Sequence, residues 1–487
     1  MKPHYDRIRR VKTHCGSTAI QVGHYKGKFF QLTKHIGSSK DAEKIIELLD
    51  IAKEYIRTHS PQIEINFNPQ SDEVLFKRGI SVSGSRLEEA YAYLESVYVK
   101  IGFLTLGNEI LKHFAMIRVL EPASKIKSIQ LLQKYFNINY KKTTVFRELT
   151  KLTNLKEDAQ EIAITYAKKN LGFDFSLVFY DVTTLYFETF KHDVEESLRK
   201  PGFSKDNKPN QPQILIGLVV NDTGFPIYYD VFEGNTFEGK TIIPVIAGIK
   251  EKYKIKKFTV VADAGMLSEK NLEELEARGI DYVVGARIGS LKYEQIQSIA
   301  AALCKINNNT TRVGNVIYDY STKRATKDKA DNDKAVQKAL YYLQNPAKVM
   351  KRAIFLASGN KKQFKLNDAL IAKHRLLEGI KGYRTNIVVV SEKLLISRYK
   401  DLWRVEQSFR IAKSDLEARP IYHRKTNSIQ YHLLIVFIAL CMARVIEMEK
   451  KESIKKVTDE LKDKWAILLT DEISGNSLKV FLDKKPH

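Results

Sequence analysis

Near the C-terminal end, the run Tyr399-Lys-Asp-Leu-Trp-Arg-Val-Glu406-Gln-Ser-Phe-Arg-Ile-Ala-Lys413 spaces a phenol, a carboxylate and an ammonium at seven-residue intervals. Leu402, Val405, Phe409, Ala412 and Leu416 recur at helical spacing, and the run contains no Gly or Pro, so it reads as one helix. On a helix, Tyr399, Glu406 and Lys413 then share a face. Such a stripe suits a metal-bound phosphate: the carboxylate would hold a cation, and the hydroxyl and ammonium would hold phosphate oxygens. Taken alone it is equally an ordinary solvated face. Two aspartates alter that balance. Asp181 follows the apolar run Phe175-Ser-Leu-Val-Phe-Tyr180, and Asp263 follows Lys257-Phe-Thr-Val-Val-Ala262. Each is expected to end a buried strand, where side chains line the ligand crevice of an α/β sheet. Either one alone could be a cap or a turn former. With Glu406 they supply three oxygen ligands, a donor set for Mg2+ or Mn2+. Two such ions about 4 Å apart can activate a water or a 3′-hydroxyl and stabilise the leaving oxygen.

The elements that must position these acids follow from the chain's texture. Strands 175–180, 214–220 and 225–232 are expected in succession, the last two joined by the turn Asn221-Asp-Thr-Gly224. A helix at 240–252, a strand ending at Asp263, a helix at 268–278 closed by Gly279 and the strand Tyr282–Ala286 complete the run. The order β-β-β-α-β-α-β is ribonuclease-H-like, to be finished by a helix carrying a further acid. The fold class is therefore α/β: a ribonuclease-H-like catalytic core interrupted by an inserted mixed α/β subdomain, with a helical N-terminal region. The expected divisions are a β-hairpin and helix region at 1–86, a helical DNA-binding region at 87–170, the core at 171–287, the insertion at 288–385, the core's second part at 386–448 and a helical tail at 449–487. Within 87–170, Pro122 is expected in a first helical turn, with Lys125 and Lys127 facing solvent.

Several stretches resemble the DDE transposases of bacterial insertion sequences: Phe179-Tyr-Asp-Val-Thr-Thr-Leu-Tyr-Phe-Glu188, Val260-Val-Ala-Asp-Ala-Gly-Met266, Leu402-Trp-Arg-Val-Glu-Gln-Ser-Phe-Arg410 and Arg419-Pro-Ile-Tyr-His423. The likeness is to the branch with a Tyr-x2-Arg-x3-Glu-x6-Lys signature and an inserted subdomain before the Glu. It implies DNA strand cleavage and joining at transposon ends, with Asp181, Asp263 and Glu406 as metal-binding catalytic triad and Tyr399 and Lys413 on DNA phosphates. It also implies double-stranded DNA as partner, at transposon ends and target, and a homodimer on paired ends. The signature's Arg position holds Leu402. Arg404 lies two residues on, and Arg410, one turn after Glu406, could supply the missing cation. Arg287 ends a strand near the proposed site and is a further DNA-contact candidate. Glu188 reads as a salt-bridge partner and Trp403 as core.

Bulk properties agree with a polyanionic partner. The 487 residues carry 80 Lys and Arg against 57 Asp and Glu, a net charge of +23, favouring nucleic acid. The apolar run Leu433–Ala443 is too short to span a bilayer and reads as a buried helix, so no membrane partner is expected. Cys15, Cys304 and Cys441 are far apart and form no Cys-x-x-Cys pair, which points to reduced thiols in a cytoplasmic protein; the resemblance implies a bacterial, nucleoid-associated one. The competing classes are a non-enzymatic DNA-binding protein derived from a transposase and another ribonuclease-H-like nuclease. A small-molecule phosphotransfer enzyme is disfavoured by the charge and by the lack of a Gly-x4-Gly-Lys-Ser/Thr loop.

Overall fold

The computed structural model describes residues 7–59, 80–188, 197–203, 211–266, 268–345, 353–358, 364–471 and 477–482. Most of the loop expected at 60–84 lies outside these residues. The chain divides into two compact units. One comprises Met1–Glu89, Lys134–Asn137 and Lys462–His487; the other comprises Ala90–Gln133 and Ile138–Leu461.

The first unit opens with an antiparallel sheet of β1 (Arg7–Lys12), β2 (Thr18–Lys26) and β3 (Phe29–Ser39). Helix Ala42–His59 covers one face, packing Ile45, Leu48 and Leu49 against Ile8, Ile20 and Val22. The strand β4 (Ile80–Arg86) falls in a stretch read from sequence as loop. It becomes a strand because a partner from the other end of the chain supplies its ladder, as described below.

The second unit is built on β5 (Val178–Tyr186), β6 (Gln213–Val220), β7 (Pro226–Glu233), β8 (Thr259–Ala262) and β9 (Asp281–Ala286). β5, β6 and β7 are antiparallel neighbours, and β8 and β9 extend the sheet in parallel with β5. This is the ribonuclease-H-like arrangement. All eight residues of β6 are buried, as expected of a strand covered on both faces. The insertion is not a separate body. Its strands β10 (Thr310–Val313), β11 (Val316–Tyr320) and β14 (Ile380–Thr385) join the same sheet, in the order β10-β11-β14-β9-β8-β5-β6-β7. β9 would otherwise expose an unpaired edge, and antiparallel β14 closes it. Between β11 and β14 come helix Thr322–Gln344, the short pair β12 (Leu356–Ser358) and β13 (Phe364–Leu366), and helix Asp368–Leu377.

Helix Thr426–Lys450 is long and apolar enough to cross a membrane, but its apolar window is 94% buried inside the protein. Phe437 packs on Tyr229 of β7 at 4.9 Å between ring centroids. Each such buried side chain contributes roughly 1.5–3 kcal/mol. The helix also buries His432, whose Nε2 donates to the Ala418 carbonyl at 3.1 Å. That tautomer leaves Nδ1 as the acceptor for Lys125 Nζ at 3.2 Å. Lys125 is thus 4% exposed and does not face solvent as the sequence suggested. Helix Lys125–Phe136 starts three residues after Pro122, and the first turn carries this inward lysine.

Two strands near the C-terminus return to the first unit. Helix Ile454–Asp463 leads to β15 (Trp465–Asp471) and β16 (Ser477–Leu482), and β15 pairs with both β16 and β4. The tail is therefore half sheet, because Trp465, 4% exposed, needs a buried site, and Tyr135 provides one at 5.9 Å.

Buried histidines set an acid limit on stability. Burial, followed by the charge of Lys112, pushes His113 down to about 4, and its ring lies between the Tyr91 and Tyr140 hydroxyls. Burial, then Lys125 and Arg118, does the same to His423 and drives His432 well below its ordinary value. The unfolded chain takes up the His113 and His423 protons near pH 6.5 while the folded chain refuses them until about pH 4. Stability is therefore full above pH 6.5 and falls as the pH drops through that window, by roughly 3 kcal/mol for His113 alone. The expected result is a melting temperature several degrees lower at pH 5 than at pH 7.5, with a shallower fall in His113→Gln. A flat profile would refute the neutral buried histidines.

Candidate active site

β5 does not end at Asp181. Val182-Thr-Thr-Leu-Tyr186 continues it, because this β-branched and aromatic run pairs with β6 along its whole length. The step occurs in the neighbouring strand. Val178 and Phe179 pair in parallel with Val260 and Val261, and β8 stops at Ala262. Two residues further along both chains, Asp181 and Asp263 come level at the end of the parallel ladder, about 4.8 Å being the usual strand spacing. Both carboxylates are held alike. The Val182 amide donates to Asp181 Oδ1, and the Ala264 amide to Asp263 Oδ1, each at 2.7 Å.

The side of the sheet that they face follows from alternation. Tyr180 points to one face, where its hydroxyl donates to Thr241 Oγ1 at 2.7 Å. Asp181 points to the other. Helix Trp403–Arg410, which carries Glu406, packs against β5 and β6. Ser408 anchors this helix, its hydroxyl donating to the Gly224 carbonyl at 2.8 Å. The turn receiving it is itself fixed: Asn221 Oδ1 accepts from the Thr223 and Phe225 amides, and Arg444 donates to the Thr223 carbonyl.

The expected single helix is broken. Helix Glu392–Lys400 stops, and a tight turn at Asp401 and Leu402 precedes helix Trp403–Arg410. There the Leu402, Arg404 and Val405 amides bond three residues back, to Tyr399, Asp401 and Leu402. Residues Ile411–Asp415 then form a π-turn, a wider coil that alters the alignment of Lys413 with Glu406. The apolar stripe Leu402, Val405, Phe409, Ala412 and Leu416 is buried as expected.

Tyr399 lies closest to an acid. Its hydroxyl donates to Asp263 Oδ1 at 3.2 Å. Burial foremost, then the charges of Asp263 and Glu406, hold this phenol protonated, well above its usual value. Tyr399 therefore acts as a donor that feels both carboxylates. Glu406 is exposed, and Arg410 is exposed one turn further on. Arg287, also exposed, donates to the Ala264 carbonyl beside Asp263 at 3.4 Å. Arg404 goes elsewhere: its Cβ lies against Gly224 and its guanidinium stacks over Trp403, with Asp401 at 3.5 Å. Trp403 is 50% exposed, so it is not core as the sequence suggested.

Two residues escaped the sequence reading. Gly285 on β9 lies directly under the Tyr399 hydroxyl, where a Cβ would come within 2.7 Å of it. A lone glycine in an apolar strand was the available signal for close approach. Lys381 on β14 stands over the Tyr399 ring at 4.4 Å. Burial, then Arg324, lowers its proton affinity, and Asp319 and Asp263 oppose that shift. Nothing local in the sequence singles out Lys381, because the sheet pairing of the insertion brings it there.

The donors are carboxylate oxygens, which suit a hard divalent ion. Among the described residues, however, no three acidic, His or Cys side chains stand close enough to hold one ion together. The two aspartates are level at the end of the parallel ladder, and the charges of both Asp263 and Glu406 act on Tyr399.

The transposase DDE domain matches residues 172–442, more than half of the 487. The chain belongs to this family. Its matched span begins just before β5 and ends within helix Thr426–Lys450, so it contains both aspartates, the insertion and Glu406. Among solved structures, the Mos1 transposase paired-end complex with left transposon end is similar at 14% identity and a TM-score of 0.16, over 36% of this chain and 58% of that one. The ribonuclease-H-like assignment rests on strand order and not on that likeness. Comparison with curated proteins gives no match.

Proposed function

We propose that this family member binds the ends of its own mobile element and cleaves and joins DNA strands at a site formed by Asp181, Asp263 and Glu406. The observation carrying this reading is the level placement of two aspartates at the end of a parallel ladder, with the Glu406 helix packed against the strand that carries Asp181. Asp181, Asp263 and Glu406 would hold Mg2+ or Mn2+. Two such ions, when bound, supply Lewis acidity that activates a water or 3′-hydroxyl and offsets charge on the phosphate. The remaining steps belong to the chain. Tyr399 fixes the Asp263 carboxylate by its hydrogen bond. Glu406 would supply the third carboxylate of the ligand set. Arg287, Arg410, Lys413 and Lys381 provide positive charge around the phosphate, and Lys381 takes the place of the cation lost at Leu402. Arg404 is assigned to holding the Gly224 turn. Two copies would pair the two ends.

The test is nicking of duplexes tiled across the DNA that flanks the gene. Cleavage confined to particular flanking duplexes, present with Mg2+ and absent with a chelator, is the expected result. Tight binding without nicking in either metal would favour a DNA-binding relative that has lost the reaction.

A further inference from the structure

The N-terminal sheet has one covered face and one bare face. Helix Ala42–His59 takes the face of Ile8, Ile20 and Val22. Alternation along the strands sends Arg7, Arg9 and Gln21 to the opposite face. From Arg7 through Lys40 the sequence contains no Asp or Glu, whereas the covering helix carries Glu47, Asp50 and Glu54. The acids of this small layer are thus confined to the helix, which also carries Lys44, Lys53 and Arg57, while the strands carry cations alone.

Among the described residues, β1 pairs with β2 as far as Gly23, and β2 and β3 stay paired to Lys26 and Phe29. Among those residues, His24–Gln31 form a two-stranded ribbon. It is closed by a two-residue turn in which Gly27 has φ 67°, the conformation that tight hairpins require. Its surface is unusual for a solvated tip. Phe29 is 81% exposed and Tyr25 50%, with Lys26 and Lys28 between them. Across the ribbon His24 Nε2 lies 3.1 Å from Gln31 Oε1, two polar groups of the kind that read base edges. A major groove about 12 Å wide admits a two-stranded ribbon. A cationic ribbon with exposed rings and an acid-free base matches that groove in charge and width.

We propose that this ribbon enters the major groove of the element's terminal DNA, with Lys26 and Lys28 on phosphates and Gln31, steadied by His24, on base edges. This rests on the transposase reading above and moves end recognition from the helices of 87–170 to the N-terminal hairpin.

The experiment is fluorescence anisotropy of the full chain on the flanking duplexes, on scrambled duplexes and on single strands, with nicking followed in parallel. The Lys26→Ala, Lys28→Ala double variant is expected to weaken binding to every duplex about tenfold and to reduce the salt slope by about 2. Gln31→Ala is expected to cut the preference for flanking over scrambled duplex about tenfold. All substituted side chains lie on the exposed ribbon, and circular dichroism confirms the fold. If wild type binds and nicks while both variants bind with unchanged affinity and preference, the ribbon proposal is overturned and the transposase reading stands. Losses confined to single strands would also overturn it. If wild type neither binds nor nicks any flanking duplex, both readings fall together.

Discussion

Glu406→Gln is expected to lower strand cleavage by about 10³-fold or more, the scale set by loss of a preorganised electrostatic group, while end binding stays within a few-fold of wild type. Glu406 is exposed on a helix held by buried neighbours, so the exchange keeps the fold; surface changes of this kind fall within about 0.5 kcal/mol. Asp181→Asn and Asp263→Asn should behave alike, because the two carboxylates sit level and are oriented by the same type of amide bond. If the three act as one ligand set, any double exchange costs little more than a single one. Single-turnover nicking beside anisotropy on the same duplex measures both quantities. Cleavage that survives Glu406→Gln would remove the carboxylate site from the reaction.

The second large effect is predicted at a residue with no functional group. In Gly285→Ala the new Cβ would lie 2.7 Å from the Tyr399 hydroxyl and 3.1 Å from Ala264 Cβ. The ring cannot retreat freely, since Tyr383 meets it edge-on at 5.1 Å and Lys381 stands over it. The Tyr399–Asp263 bond must therefore break or Asp263 must move. Overpacking of this kind costs about 1–3 kcal/mol of stability, and a misplacement of about 1 Å can cost 10²-fold in rate. Tyr399→Phe removes the hydroxyl and leaves the nearest ring carbon at 3.4 Å, an ordinary contact. It should cost less than Gly285→Ala, and the double variant should be only slightly worse than Tyr399→Phe alone, by the 3.1 Å contact with Ala264 Cβ that remains. An additive double variant would show that Gly285 acts through something other than Tyr399.

How much of this was legible depended on distance along the chain. The strands β5 to β9 could be read because each is a short apolar run bounded by turn residues, and the two aspartates stand out at the ends of such runs. That Asp181 lies inside its strand could not be read, because the step in the sheet belongs to β8, roughly eighty residues away in sequence. The β10, β11 and β14 strands are short and partly polar, and they look like an independent insertion until β9 offers them an edge. Lys125 looked like a surface lysine because its partner His432 is remote in sequence. The break at Asp401 and Leu402 hid behind a clean apolar period, since a three-residue turn shifts later positions without exposing the stripe. The missing signature cation at Leu402 was visible, whereas Lys381, which stands by Tyr399, was not.

The pairing of β4 with β15 also orders events on the ribosome. β4 emerges early, yet its neighbour is translated only after Asp181, Asp263 and Glu406 have all been made. Until then β4 presents unpaired backbone groups, the kind of edge that recruits other strands or proteases. A chain stopped between Glu406 and Trp465 carries all three carboxylates but cannot finish this layer. A fragment ending there is expected to be cleaved by proteases faster than the full chain.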